Sequence, residues 1–197
     1  MATLKEYRDI RIEKLNKLKE LGVNPYPAQS HRTHLNNEIT ENFSELEGKE
    51  VVVAGRIFSI RSHNVLCFID LKDASGKIQL YLKQDNFQKQ DYKNGELKFE
   101  DINLLDTGDF IEGYGKVTKT KTGQISVEVE KLRILTKSLR PLPDSHTGFK
   151  DKESRLRKRY IDTNINEDVY QRFVRRAKFW EAHREFFKEN GFLEMNI

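Results

Sequence analysis

Between Lys49 and Leu135 the apolar residues of this 197-residue chain recur at every second position, which is the period of a β-strand. Short turns containing Gly, Ser or Asn separate all of these alternating runs except the third and the fourth. The runs cover residues 50–62, 65–73, 77–83, 109–119 and 124–135. Each such run has one apolar face to bury, so the pattern specifies a β-sheet domain that closes around its own core.

The order of these runs predicts a particular barrel. A polar stretch with weak helical character, residues 85–107, separates the third run from the fourth. Five strands with an insertion at this place match the OB-fold, a Greek-key barrel that binds oligonucleotides across its second and third strands. Gly55 suits the bend that the first strand requires, and a change of phase in the last strand predicts a β-bulge near Glu130. An open sandwich would need more strands than we find.

Helical periods flank the barrel. Residues 4–21 predict an amphipathic helix with a capping box formed by Thr3 and Glu6. Its polar face is basic, and its arginines Arg8 and Arg11 are candidates for phosphate contacts.

Beyond the barrel, residues 139–143 are a stiff, Pro-containing connector, and 151–162 are basic and partly helical. Residues 168–190 predict a long helix, after which 192–197 begin a strand. The predicted fold is therefore mainly β with flanking helices. The corresponding division is 1–48, 49–137, 138–162 and 163–197.

The same alternation selects candidate binding residues on the second and third strands. One set faces inward, and the other combines rings, an amide and charges. The outward set is Leu66, Phe68, Asp70, Lys77, Gln79 and Tyr81. A ring such as Phe68 stacks on a base, while the amide of Gln79 donates to and accepts from a base edge. Arg56 shares the outward phase, and Arg61 and Lys77 are further basic candidates. Packing beneath a loop or the first helix is the alternative role for the rings.

Few enzymatic arrangements fit the sequence, and no catalytic residue is predicted. Only His31 and His34 approach a metal-ligand spacing, and they have no third ligand nearby. There is no glycine-rich phosphate loop with lysine and no strand–Ser–helix elbow. The single cysteine, Cys67, excludes an internal disulfide and favours a reducing, cytoplasmic compartment. No apolar run reaches the ~18–20 residues of a membrane span, so no membrane partner is expected.

Six segments resemble the N-terminal part of class II lysyl-tRNA synthetases. They are residues 11–27, 53–56, 68–81, 119–127, 135–143 and 148–162. The last two segments are the most specific, because the related aspartyl and asparaginyl enzymes share the barrel but neither of these stretches. The resemblance extends from about Tyr7 to Ile197.

This resemblance implies that the barrel is an anticodon-binding domain for the uridine-rich anticodon of lysine tRNA. The stacking ring of the family then falls on Phe68, the base-reading amide on Gln79 and the basic partner on Arg56. A further contact, usually a glutamate, falls on Gln124, and this departure leaves its role open.

The resemblance also carries expectations about a longer protein. Residues 168–197 are similar to the start of motif 1, which builds the homodimer interface of these enzymes. Motifs 2 and 3, which bind ATP and magnesium and activate lysine, are not in this sequence. A full-length parent is therefore expected to attach lysine to its tRNA with ATP and magnesium. This chain alone is expected to be inactive, to hold no cofactor and to bind the anticodon stem-loop.

Two other functions fit the same barrel. One is general binding of single-stranded nucleic acid, without preference for a lysine anticodon. The other is a protein-interaction module whose outer barrel face docks a partner chain.

Overall fold

The computed structural model describes residues 3–87, 90–143, 149 and 151–195. The chain forms two compact units, residues 1–141 and 142–197, and each is described by itself. In the first unit the helices are α1 (Leu4–Glu20), α2 (Asn36–Glu41) and α3 (Phe43–Leu46). Its strands are β1 (Glu50–His63), β2 (Leu66–Lys72), β3 (Lys77–Lys83), β4 (Glu96–Leu97), β5 (Phe110–Lys119) and β6 (Ile125–Thr136).

The strands form one sheet in the order β3-β2-β1-β5-β6-β4. A further parallel pairing of β3 with β6 closes five of them into a barrel. This closed barrel confirms the predicted OB-fold. The polar stretch before β5 forms three short 3₁₀ turns and the two-residue strand β4, which the sequence pattern did not reveal. The 3₁₀ turns are Gln84–Phe87, Tyr92–Asn94 and Phe99–Leu104.

The barrel core is built by the inward faces of the strands, as the alternation predicts. The core side chains of β2 and β3 are at most 3% exposed. They are Cys67, Ile69, Leu71, Ile78, Leu80 and Leu82. Burying each aliphatic side chain of this size stabilises the fold by ~1.5–3 kcal/mol relative to exposure. This burial fixes which side chains of the same strands must face outward.

The predicted bulge in the last strand is confirmed. Tyr114 pairs with Lys131 and Gly115 pairs with Val129, so Glu130 is the extra residue. A Cβ atom on Gly115 would lie 2.0 Å from the carbonyl oxygen of Glu128. Glycine is therefore required where β5 passes the bulge.

The first helix begins as predicted, because both hydrogen bonds of the Thr3–Glu6 capping box are present. One prediction about this helix is wrong. Arg11 does not face solvent but is only 5% exposed, and its guanidinium donates to the carbonyls of Thr107 and Ser138, each at 3.0 Å. These carbonyls come from distant segments of the chain, and they satisfy the charge-bearing N–H groups inside the fold. Arg8 remains exposed.

A buried ion cluster ties the segment after β6 to the barrel and to α1. The ammonium of Lys137, with a fully buried side chain, donates to Asp106 at 2.5 Å and to Asp109 at 2.7 Å. Lys14 of α1 donates to the other carboxylate oxygen of Asp106 at 2.7 Å. The backbone N–H of Ser138 donates to Asp109 at 2.7 Å. Each buried charge therefore has an opposite charge and further hydrogen bonds.

The second unit contains the helices α4 (Lys152–Arg157), α5 (Arg159–Ile165) and α6 (Glu167–Glu189). Buried Asp162 accepts hydrogen bonds from Arg155 at 3.0 Å and from Arg159 at 2.8 Å. Burial alone would raise the pKa of Asp162, but the hydrogen bonds from Asn166 and these arginines hold it below its ordinary value. Helix α6 exposes a series of aromatic side chains to solvent: Phe173, Phe179, Trp180, Phe186 and Phe187.

The prediction of a strand that begins at Phe192 is wrong for the residues that the structure describes. Residues 192–195 have no regular secondary structure, and residues 196–197 lie outside the described part. A strand requires a neighbouring strand for its backbone hydrogen bonds. Within 151–195 all regular secondary structure is helical, so the required partner strand is missing there.

We predict that Lys137→Ala lowers the free energy of unfolding by about 3–5 kcal/mol, because the fully buried carboxylate of Asp109 loses its counter-charge, while partly exposed Asp106 keeps Lys14. Urea titration at neutral pH measures this loss. Lys116→Ala is the control, since Lys116 forms an exposed pair with Glu130 at 3.7 Å. Such exposed pairs contribute about 0–1 kcal/mol. Equal losses in the two variants would contradict a stabilising role for the buried cluster.

A second prediction concerns acid stability. Burial alone would raise the pKa of Asp106, but hydrogen bonds from Lys137 and Lys14 outweigh it and hold the pKa below its ordinary value. Its contribution to stability is therefore present above the unfolded-state pKa of ~3.9 and is lost as pH falls through the lower folded-state pKa. At neutral pH, Asp106→Asn should cost about 1.5–3 kcal/mol. Unfolding titrations from pH 7 downward should show this difference shrinking below about pH 4; a constant difference would contradict the assignment.

Candidate nucleic-acid interface

Outward side chains of β1, β2 and β3 form rows across the barrel surface, which we call the outer face. Strand register aligns Arg61 with Phe68 and Tyr81, and it aligns Ser59 with Asp70 and Gln79. A third row aligns Arg56 with Lys72 and Lys77. Alternate residues of a strand are ~6.8 Å apart, so the rows have about this spacing.

The first row carries a pair of stacked rings. Phe68 and Tyr81 have ring centroids 5.1 Å apart and planes within 9° of each other. Both side chains are half-buried, and neither belongs to the barrel core. Packing beneath a loop or the first helix stays the alternative role for these half-buried rings. A parallel aromatic pair at a surface is a platform on which a nucleobase can stack.

The second row carries an oriented amide. The hydroxyl of Ser126, on β6, donates to Oε1 of Gln79 at 3.0 Å. This bond holds the side-chain amide in place, and its NH₂ group has no acceptor within the described part of the chain. Gln124 is exposed and comes two residues before Ser126, just ahead of the start of β6. An oriented amide with an open donor suits the edge of a base.

An arginine lies beside the stacked rings, but it is not the one that the resemblance indicated. Arg61 is opposite Phe68, and its guanidinium forms two hydrogen bonds with Asp70, at 3.0 and 3.1 Å. Asp70 also accepts a 2.5 Å hydrogen bond from Ser59. These bonds orient the guanidinium and neutralise much of its charge.

Arg56 lies two rows away from Phe68, opposite Lys72. Its guanidinium carbon is 4.5 Å from the centroid of the Phe110 ring, and one N–H group donates a long 3.5 Å bond to the carbonyl of Gly108. Burial lowers the pKa of Arg56, because the charged form is partly desolvated. The structure thus brings Arg61 rather than Arg56 together with Phe68 and Gln79, while the nucleotide contact of Arg56 stays a prediction.

The remaining candidate binding residues from the sequence differ in their exposure. Lys77 is exposed on the outer face, with its ammonium 3.8 Å from the ring centroid of Phe58. Buried Arg11 instead donates to two backbone carbonyls inside the fold. Sequence reasoning missed Phe58, although it is two residues after outward-facing Arg56 in the same alternating run.

Metal ligation and thiol chemistry are the other possibilities that the sequence raises. Within the described ranges, no group of three or more His, Cys, Asp or Glu side chains is placed to hold a metal ion. Cys67 is 1% exposed, and burial raises the pKa of its thiol. Among the described residues, no helix has the length and apolar character needed to cross a membrane.

Comparison with known proteins agrees with the OB-fold of the barrel. Residues 51–135 match the tRNA anti-codon family, described as an OB-fold nucleic acid binding domain. Lysine–tRNA ligase of Moorella thermoacetica is 45% identical over 94% of this chain. The enzymes of that name from Syntrophomonas wolfei and Clostridium novyi are each 41% identical, over 98% and 94% of the chain. The chain spans 37%, 38% and 35% of the length of these three relatives.

Proposed function

We propose that this chain binds the anticodon loop of lysine tRNA. Its barrel matches the OB-fold nucleic-acid-binding family, and its sequence is homologous to the lysine–tRNA ligases. The observation that carries the proposal is the stacked pair Phe68–Tyr81 beside the oriented amide of Gln79. A ring platform and a base-reading amide in adjacent rows are what recognition of unstacked bases requires.

The proposed mechanism assigns one task to each group. Phe68 stacks on the middle base of the anticodon, and the free N–H groups of Gln79 donate to an acceptor at the edge of that base. Arg61, held by Asp70, directs its remaining N–H groups at a neighbouring base or phosphate. Lys77 and Gln124 contact the loop at the edge of β3. Arg56 and Arg8 add longer-range attraction for the RNA backbone.

For the longer protein we propose ATP-dependent attachment of lysine to tRNA by a homodimer in the cytoplasm, since homologous proteins carry the name lysine–tRNA ligase. ATP and magnesium would serve that reaction. No step proposed for this chain runs through either of them. Its proposed task is recognition.

General binding of single strands is the second candidate, because ring platforms also bind bases without sequence preference. A titration with scrambled loop sequences separates it from anticodon recognition. Docking of a protein partner is the third. Binding that is insensitive to salt would favour it, because phosphate contacts release counterions and weaken as salt rises.

The first functional prediction tests the stacking platform. Phe68→Ala should weaken binding of the 197-residue chain to a lysine anticodon stem-loop by about 1–3 kcal/mol, the usual range for loss of one stacked base. Fluorescence anisotropy at fixed salt measures this change. Phe68→Trp should retain affinity because it retains a flat ring, whereas Phe68→Leu should behave like alanine. Unchanged affinity in all three variants would contradict the proposed function.

The second functional prediction tests base reading. Gln79→Ala should reduce discrimination between a uridine-containing anticodon and loops with other bases by about 1–3 kcal/mol, because the lost amide bonds are base-specific. Competition titrations with single-base loop variants measure the ratio. Gln171→Ala is the control, since Gln171 is exposed on α6. Equal losses for every loop sequence would refute direct readout by Gln79.

A further inference from the structure

An exposed ring on the outer face has no role in the mechanism above. Phe58 is 47% exposed although it lies within β1. A single exposed apolar side chain carries no function by itself. The position of this ring in the strand, and the side chain that covers it, distinguish it from an ordinary surface residue.

The position of Phe58 is set by a β-bulge. Ile57 pairs with Leu71 and Ser59 pairs with Asp70, so Phe58 is an extra residue with no partner on β2. Bulges re-aim side chains and are frequent beside binding sites. Here the bulge lets Phe58 and Ser59 both reach the outer face, as the Ser59–Asp70 hydrogen bond and the Lys77–Phe58 contact show.

The cover of the ring is Lys77, which reaches over β2 from β3. Strands β1 and β3 flank β2, so the lysine stem crosses a gap of ~9–10 Å between them. Its ammonium is 3.8 Å from the ring centroid of Phe58. Among described residues Lys77 has no carboxylate partner, in contrast to Arg61 with Asp70. The cation on this ring is therefore available to an incoming anion.

We infer that Phe58 is a second stacking platform, which holds an anticodon base other than the one on Phe68, with Lys77 pairing to the adjoining phosphate. The base replaces the ammonium on the ring, and the displaced ammonium gains a stronger partner than the ring quadrupole. Phe58 lies three residues along the strands from the row of Phe68, or ~10 Å, so the two rings serve different nucleotides. This inference rests on the proposed function.

The experiment uses the whole 197-residue chain and anticodon stem-loops with an abasic residue at the first, second or third anticodon position. Phe58→Leu should weaken binding of the intact loop about fivefold or more, whereas Phe58→Trp should keep the affinity of the parent chain. For one abasic loop, Phe58→Leu should leave the binding affinity unchanged. For a different abasic loop, Phe68→Leu should leave the affinity unchanged. Urea unfolding midpoints of the Phe58 variants should match that of the parent chain.

Lys77→Gln should reduce the slope of log K against log salt by about 0.7, the value for one phosphate contact on a single strand. Lys98→Gln is the matched control, because Lys98 covers the ring of Tyr92 at 4.8 Å outside the outer face. It should leave the slope unchanged.

The results distinguish the two levels of the proposal. If Phe68→Leu and Phe58→Leu both leave affinity unchanged, the proposed function itself fails. The second platform is wrong, while anticodon binding stands, if only Phe68→Leu weakens binding. The same conclusion follows if the effects of both substitutions on affinity disappear with the same abasic loop. A Lys77→Gln slope equal to that of the parent chain would remove the phosphate contact from the inference.

Discussion

Burial of one face of β2 and β3 is the constraint on which the candidate site depends. Because side chains alternate across a strand, placing Ile69 and Leu80 in a fully buried core forces Phe68, Asp70, Gln79 and Tyr81 onto the opposite side. A slip of one residue would exchange the two sets and cost the transfer free energy of the core. The geometry of the candidate site is thus stabilised by core residues that are not part of it.

The two bulges in the barrel have different consequences. Without the extra residue at Phe58, strict alternation from Ile57 would turn Arg61 inward, and the charge would have to be buried. The bulge shifts the phase by one, so Ile60 packs against the core and Arg61 faces outward next to Phe68. The bulge at Glu130 rephases β6 in the same way and keeps its apolar residues in the core.

These cases show how much the sequence predicts. Periodicity gave the barrel, its inward residues and the Glu130 bulge, because apolar positions visibly change phase there. The sequence does not reveal the Phe58 bulge. Ile57, Phe58 and Ile60 are all apolar, so the shift in the inward–outward alternation is not visible there. The helix pattern predicts an exposed Arg11, because the sequence cannot show that the carbonyls of residues 107 and 138 accept its hydrogen bonds. Such acceptors are fixed only by tertiary structure.

The distribution of charge on the outer face separates affinity from selectivity. Arg61 is paired with Asp70 in a bidentate ion pair, so an RNA phosphate must compete with a carboxylate for it, and its net gain in free energy is small. The oriented N–H groups of this pair and of Gln79 cost little to present to a base, because Asp70 and Ser126 already hold them. Pre-ordered polar groups reward the matching base and leave a wrong one unpaired. Under the proposed function, attraction for the RNA backbone must therefore come from cations outside these pairs.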